Sequence, residues 1–471
     1  MYHVQHRWRL EERTLVYYGM RKKPYLFKNR IRLDRKRAAI IKDLPKDLGA
    51  YDLKVLKTLL SEGVIVTEEN LRHMPETIED ARFCVRCAAN DHSIPGLEFD
   101  EKGLCPMCAT EEETAHLESV LPVVDRFRAY PDRRFDVALF YTGGKDSTFL
   151  LNHLANHLKL RVLALTWEIP FMSKSARLSI EAAKIRFPGV EFVNRKLMGA
   201  DLDAIYKTLF DLQGNTCACP SVAYAIFYPL MEAENVPLFV LGNEPVQMKN
   251  LYYNHLAPAY AFNPKLHRLM NAGLNVLRVL TLRKPLRQGQ FEALLSMREL
   301  AGGRNVLKRM SGYENQMVEN VKTALKAAPN LMGPFKKAIR KSARTGRVPA
   351  FVHVDFDRIA PGGRYVWDDV KDMIREQAGW VPPEATGKGL HTSCDIEACK
   401  EHTQYMNFLE MRTTMIPFSA IEIALASAGR TMGRDDAIEE TKKHLGLSKD
   451  DRSGCLLMDR FMDKINGEDG R

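Results

Sequence analysis

Residues 135–147 read FDVALFYTGGKDS, and the change of pattern inside this stretch decides the fold. Seven residues, mostly apolar and rich in β-formers, end at a pair of glycines, and a helical pattern starts at once in DSTFLLNHLANHL, residues 146–158. Two glycines let a backbone turn sharply and approach a ligand closely, and a helix N-terminus directly behind them adds its positive dipole end. The stretch therefore predicts a strand, an anion-binding loop and a helix. Thr142 and Ser147 supply hydroxyl donors, Lys145 a cation, and Asp146 a carboxylate suited to holding Mg2+ against phosphates. The pattern is not a Walker A loop, because GxxxxGK[ST] is absent. Working outward, RVLALTW (161–167), EFVNRKL (191–197) and PLFVLG (237–242) are further short apolar runs. Helical segments separate them, at 146–158, 173–187 and 201–235. Strands alternating with helices predict an α/β fold, a doubly wound parallel sheet.

The chain has 471 residues, 45% of them hydrophobic, which excludes disorder as a description of the whole and predicts two or three domains. No stretch approaches the ~20 uncharged apolar residues of a membrane span, and the first twenty residues carry charges where a secretory segment would be apolar. A cytoplasmic protein with no membrane partner is the expectation. Lys and Arg number 69 against 59 Asp and Glu, a formal charge of +10. That balance favours an anionic partner: a nucleotide, a sugar nucleotide or a nucleic acid.

The loop Thr142–Ser147 resembles the SGGxDS loop of the PP-loop ATP pyrophosphatases, or adenine nucleotide alpha hydrolases, with Thr142 where serine is more usual. The resemblance implies a HUP-like sheet, ATP and Mg2+ as cofactors, and cleavage of ATP between its α and β phosphates. It implies that Tyr141, Thr142, Gly143, Gly144, Lys145, Asp146 and Ser147 bind the nucleotide and that Lys145, Asp146 and Ser147 are catalytic. Trp167 and Glu168, at the end of the second strand, are implied adenosine contacts, with ordinary packing the competing reading for Trp167. Gly242, Asn243 and Glu244 stand where the family has a further active-site turn, which makes Asn243 and Glu244 candidate substrate or metal contacts.

The nine cysteines are clustered. Cys84 and Cys87, then Cys105 and Cys108, form two CxxC pairs with 17 residues between them, the spacing of a tetrahedral Zn2+ site. The competing reading is four unliganded thiols. Between the pairs stand Ile94, Pro95, Gly96, Leu97, Phe99, Asp100, Glu101 and Gly103. This order is similar to the segment that precedes the phosphate loop in N-acetyl sugar amidotransferases of the same superfamily. The stretch 429–439, GRTMGRDDAIE, looks like that family's closing helix segment. Cys217 and Cys219 precede a helix, and His391, Cys394, Cys399 and His402 form an HxxC…CxxH array. PP-loop enzymes that thiolate tRNA carry cysteines in comparable places, so thiolates drawn from Cys217, Cys219, Cys394 and Cys399 are candidate ligands of an iron–sulfur cluster or carriers of sulfur. The CxC spacing departs from those enzymes' usual CxxC, and buried inert thiols are the alternative. Cys455 has no sequence partner and reads as inert.

The expected organisation is a basic winged-helix-like module at 1–80, a zinc ribbon at 81–112, the ATP-pyrophosphatase domain at 130–262 and a mostly helical, basic region at 263–471. The densest basic runs, at 265–287 and 336–347, read as a solvated face or a polyanion site. Three functions follow. The first is an amidotransferase that adenylates a carbonyl oxygen, on an N-acetyl sugar or an anionic small molecule, and replaces it with ammonia. Tyr2 follows the first methionine and no GxCxG elbow is present, so ammonia would come from a separate glutaminase subunit. The second is a sulfurtransferase acting on tRNA or a small molecule. The third is a nucleotide-binding scaffold, which the intact Gly143–Ser147 loop disfavours.

Overall fold

A computed structural model of the chain describes residues 1–20, 30–111, 130–257, 259–303, 315–383, 393–445 and 452–467. The chain divides into two compact units. One comprises Met1–His116, Asn250–Leu256 and Gln404–Ser448, and the other Leu117–Lys249, Ala257–Thr403 and Lys449–Arg471.

The first unit begins with short strands β1 (Tyr2–Val4), β2 (Trp8–Glu11), β3 (Thr14–Tyr17), β4 (Arg30–Arg32) and β5 (Ile65–Thr67). β2, β3 and β4 form an antiparallel sheet and β1 pairs antiparallel with β5. The helices Arg35–Lys42, Ala50–Val55 and Lys57–Ser61 pack Ile40, Ile41, Leu56 and Leu59 against Leu15, Tyr17 and Val64. The expected N-terminal helical module thus contains more strand than its leucine spacing suggests. Leu15, Val16 and Tyr17 are branched or aromatic residues that fit a pleated surface, and Glu12, with φ 52°, turns the hairpin tightly. Tyr253 ties Asn250–Leu256 into this unit: its hydroxyl donates to the Met107 carbonyl at 3.3 Å and lies 3.0 Å from the Thr110 hydroxyl.

The second unit is built on a five-stranded parallel sheet of β6 (Val137–Phe140), β7 (Val162–Trp167), β8 (Glu191–Arg195), β9 (Leu238–Val240) and β10 (Ala350–Val352), ordered β10-β9-β6-β7-β8. Four strands fall on the apolar runs read from the sequence. The fifth, Ala350–Val352, comes from the region expected to be helical and pairs in parallel with β9, Phe351 opposite Phe239. Three buried residues give too short a pattern to separate strand from helix. Elsewhere in this unit the described residues between 264 and 403 are mostly helical, including Pro264–Leu280, Gln290–Leu300, Gln316–Lys326, Pro329–Thr345 and Trp367–Ala378. The middle of the sheet is buried on both faces: every residue of β7 is buried, and Phe140 meets Tyr224 and Phe239 at 4.8 Å between ring centroids, whereas the edge strand β8 is half-buried. Strand order reverses at β6, whose neighbours β7 and β9 lead to opposite edges. Such a reversal opens a crevice at the carboxyl ends of the strands, which is where ligands bind in open α/β sheets.

Candidate functional site

The glycine loop leaves β6 at that crevice. Gly143 has φ 72°, and a Cβ there would lie 2.4 Å from the Ala176 carbonyl oxygen of the helix Lys174–Arg186. Only glycine fits. Gly144 caps the helix Lys145–Asn152 without a side chain, leaving that helix's first N–H groups to the crevice. Ser147 closes the loop on itself: its hydroxyl donates to the Gly144 carbonyl at 3.1 Å, accepts from the Thr142 N–H at 3.3 Å and lies 3.2 Å from the Thr142 hydroxyl. Tyr141 is buried and donates to the Ser179 carbonyl at 3.2 Å, and burial pushes its phenol up to about 12. Tyr141 thus supports the loop from beneath.

Lys145 and Asp146 form an ion pair, and Tyr365 completes a triad with them. The Tyr365 hydroxyl donates to Asp146 Oδ1 at 2.5 Å and accepts from Lys145 Nζ at 3.0 Å. The ammonium also lies over the Tyr365 and Trp367 rings, 4.7 and 5.3 Å from their centroids, an electrostatically favourable seat for a cation. Trp367 Nε1 donates to Glu244 Oε2 at 3.5 Å, and Glu244 is buried. Burial, then the Asp146 and Glu244 carboxylates, holds the Tyr365 phenol well above its ordinary range, so it remains protonated as the donor to Asp146. The Gly242–Glu244 turn after β9 and the glycine loop after β6 are therefore joined through two aromatic residues that sequence reading missed. Tyr365 and Trp367 lie some 220 residues beyond the loop, and their only local signal is an aromatic pair before a helix.

At the end of β7, Trp167 is buried and its indole N–H has no hydrogen-bond partner among the described residues, a group left over for a ligand. Glu168 accepts from Asn194 at 3.0 Å and pairs with Lys196 at 3.2 Å. Burial works to raise its carboxyl, but these two partners outweigh burial and hold it below the usual range. A cavity of ≈ 300 Å³ along the same edge is lined by Arg195, Lys196, Asn330 and apolar neighbours.

Ser393 and Cys394 run beside the loop. The Ser393 carbonyl accepts from the Ser173 N–H at 3.1 Å, Asp395 N–H donates to the Phe171 carbonyl at 2.7 Å, and Met172 bridges to Cys394. The Ser393 Cβ is 3.9 Å from where a Gly144 Cβ would stand. Cys394 donates to Glu397 Oε2 at 3.7 Å, and Lys400 donates to Glu397 Oε1 at 2.6 Å. Burial, then Glu397 and Cys217, pushes the Cys394 thiol up, and Lys400 opposes them. Burial pushes the Cys217 and Cys219 thiols up as well, and the Lys400 ammonium opposes it at both. Cys399, another of the four cysteines from which ligands were expected to be drawn, lies buried with Cys455, whose Sγ is 4.0 Å from the Cys399 carbonyl oxygen. Cys394 precedes the helix Glu397–Leu409, in the segment bridged to Met172, whereas Cys399 lies on the helix itself. His402 is buried, and His391 lies outside the described residues.

In the first unit Cys84, Cys87, Cys105 and Cys108 are all buried with their sulfurs within 4.8 Å of one another, the only such group of potential metal ligands among the described residues. Cys84 Sγ accepts from the N–H groups of Arg86 at 3.5 Å and Cys105 at 3.3 Å, and Cys87 Sγ from that of Ala89 at 3.4 Å. Backbone donors aimed at sulfur favour a thiolate, and hydrogen bonds from Cys105, Cys108 and Cys87 hold Cys84 below the ordinary thiol range while the same contacts push Cys87 and Cys108 up, so the four share one negative charge without a metal. The segment 429–439 packs here: Arg434 donates to the Cys84 carbonyl at 2.9 Å, and Ala88 N–H donates to Ser427 at 3.0 Å. Four buried soft donors fit a Zn2+ or iron ion.

No protein-family model matches the chain, and no curated protein matches it. Among solved structures, the U34-tRNA thiolase NcsA from Methanococcus maripaludis with its [4Fe-4S] cluster is similar at 14% identity, covering 76% of this chain and 88% of that one, with a TM-score of 0.28. A superposition this loose leaves the functional reading to the chain's own residues. These define an α/β protein with a glycine loop at a switch point, and beside it a thiol group. No helix among the described residues is long and apolar enough to cross a membrane.

Proposed function

We propose that the chain is an ATP-dependent, AMP-forming enzyme of the PP-loop ATP pyrophosphatase type that replaces a substrate oxygen with sulfur. A substrate oxygen attacks the α-phosphorus, pyrophosphate leaves, and a sulfur nucleophile then expels AMP. The loop N–H groups, Lys145 and the Ser147 hydroxyl bind the phosphates and stabilise charge developing on the leaving pyrophosphate. Asp146, with the Thr142 and Ser147 hydroxyls, is a set of hard oxygen donors that fits Mg2+, which when bound neutralises phosphate charge. Trp167 and Glu168 contact the adenosine. Arg195 and Lys196 make the neighbouring cavity suited to an anionic substrate, tRNA or a small molecule.

The observation that supports the choice of sulfur is the bonding of Ser393–Asp395 to Phe171–Ser173, which sets Cys394 one residue from Ser393, whose Cβ approaches Gly144. Cys217, Cys219 and Cys394 do not all lie within the 4.8 Å of a single-ion site, so the group acts as a sulfur carrier or as ligands of an iron–sulfur cluster. The four-thiol group binds Zn2+ and is structural. Amide transfer, with ammonia from a separate glutaminase, is the second reading, favoured by the residues Ile94–Gly103 between the CxxC pairs.

The test is incubation of anaerobically purified protein with ATP, candidate acceptors, and sulfide or ammonium. AMP and pyrophosphate with sulfur in the product are expected. ADP and inorganic phosphate would contradict the loop assignment, and a product requiring ammonium would select amide transfer. Cys394→Ser should abolish sulfur transfer while ATP-dependent adenylation persists. Iron that Cys394→Ser loses and Cys105→Ser retains separates cluster from carrier.

A further inference from the structure

The helix Pro264–Leu280 is mounted back to front. Its inward side is held largely by polar contacts: Asn275 donates to the Leu286 carbonyl at 2.8 Å and accepts from its N–H at 2.9 Å, Arg278 donates to the carbonyls of Lys284 at 2.8 Å and Ala343 at 3.1 Å, and buried His267 pairs with Glu292. Its outward side carries Leu266, Leu269, Val276, Leu277 and Leu280, which at 3.6 residues per turn fall on one stripe with Gly273 in the middle. Leu269 is 71% and Leu280 75% exposed, and the apolar run continues into Leu282, 98% exposed. Folding normally buries such a stripe, so its outward mounting means that something else covers it.

The charges say what. From 257 to 291 the sequence contains Lys265, Arg268, Arg278, Arg283, Lys284 and Arg287 and no Asp or Glu. A covering partner must therefore be apolar in its interior and anionic at its edge. A second copy of the chain meets the first requirement and fails the second, because either helix direction sets cations on cations. A nucleic acid meets the second, but gains nothing from exposed leucines.

We propose that the helix Pro264–Leu280 lies in the surface of an anionic lipid bilayer, its leucine stripe among the acyl chains and its cations at the headgroups. A helix lying along a bilayer needs no spanning length, so the proposal stands beside the absence of a membrane-crossing helix among the described residues and runs against the expectation of no membrane partner. The proposal is independent of the reaction assigned above.

The test is flotation of the full chain with phosphatidylcholine vesicles, with and without phosphatidylserine. The chain should float with the anionic vesicles, less so as salt rises, and Arg268→Gln should weaken partition about fivefold. Leu269→Glu/Leu280→Glu should abolish it with the melting temperature unchanged, since both side chains point outward. Absence of flotation, or equal flotation by the double variant, overturns the proposal. So does a solution mass of two chains that the double variant halves, or a polynucleotide whose binding needs the leucines while vesicles are ignored.

Discussion

Replacing Tyr365 with phenylalanine removes one oxygen atom from the proposed site and leaves its packing in place. The ring sits edge-on to Phe149 and Phe356, with centroids 5.1 and 5.0 Å away, and beneath the Lys145 ammonium, contacts that phenylalanine retains. What is lost is the hydroxyl that donates to Asp146 at 2.5 Å and accepts from Lys145 at 3.0 Å. Hydrogen bonds to charged groups contribute about 1.5–3 kcal/mol, so if the bond orients Asp146 for Mg2+, the loss corresponds to roughly 10- to 150-fold in kcat/KM. Tyr365 acts here as a positioning residue through Asp146. Steady-state AMP release gives kcat and KM for ATP, and calorimetric titration gives the Mg2+ dependence of ATP binding. A purely structural tyrosine would lower the melting temperature and leave that dependence alone. Tyr365→Phe with AMP release within about twofold of the parent protein, a fold-change worth only ~0.4 kcal/mol, and an unchanged Mg2+ requirement would refute the reasoning.

Three further outcomes are expected. Gly143→Ala should abolish ATP binding, because the conformation costs about 1–2 kcal/mol for any residue with a Cβ and the added carbon meets the Ala176 carbonyl oxygen; tight binding by the variant in a nucleotide titration would contradict the loop geometry. Cys105→Ser should lower metal content and melting temperature together, and a metal-replete, equally stable variant would remove the four-thiol site. His353 is buried beside β10, and burial lowers its imidazole to about 4, so protons bind the unfolded chain more readily. Stability from this group is complete above about pH 6.5 and is lost as pH falls towards 4, by roughly 3 kcal/mol in all. His353→Gln should flatten that part of a pH series of denaturant melts, and an unchanged slope would show that other groups control acid unfolding.

Local pattern was enough for the elements that write their periodicity into consecutive residues. The runs ending at Phe140, Trp167 and Val240 were legible because buried parallel strands need continuous apolar side chains, and Gly143–Ser147 was legible because a tight turn before a helix restricts which residues can stand there. The two CxxC pairs were legible for the same reason, since a knuckle is a local turn. Tertiary structure alone decided the rest. It drew Ala350–Val352 into the sheet from a helical region and set Tyr365 and Trp367 between the glycine loop and Glu244. These pairings span from about one hundred to more than two hundred residues, and the packing of distant segments sets them. A one-dimensional sequence states the first kind of constraint directly, whereas the second exists only once the chain has folded back on itself.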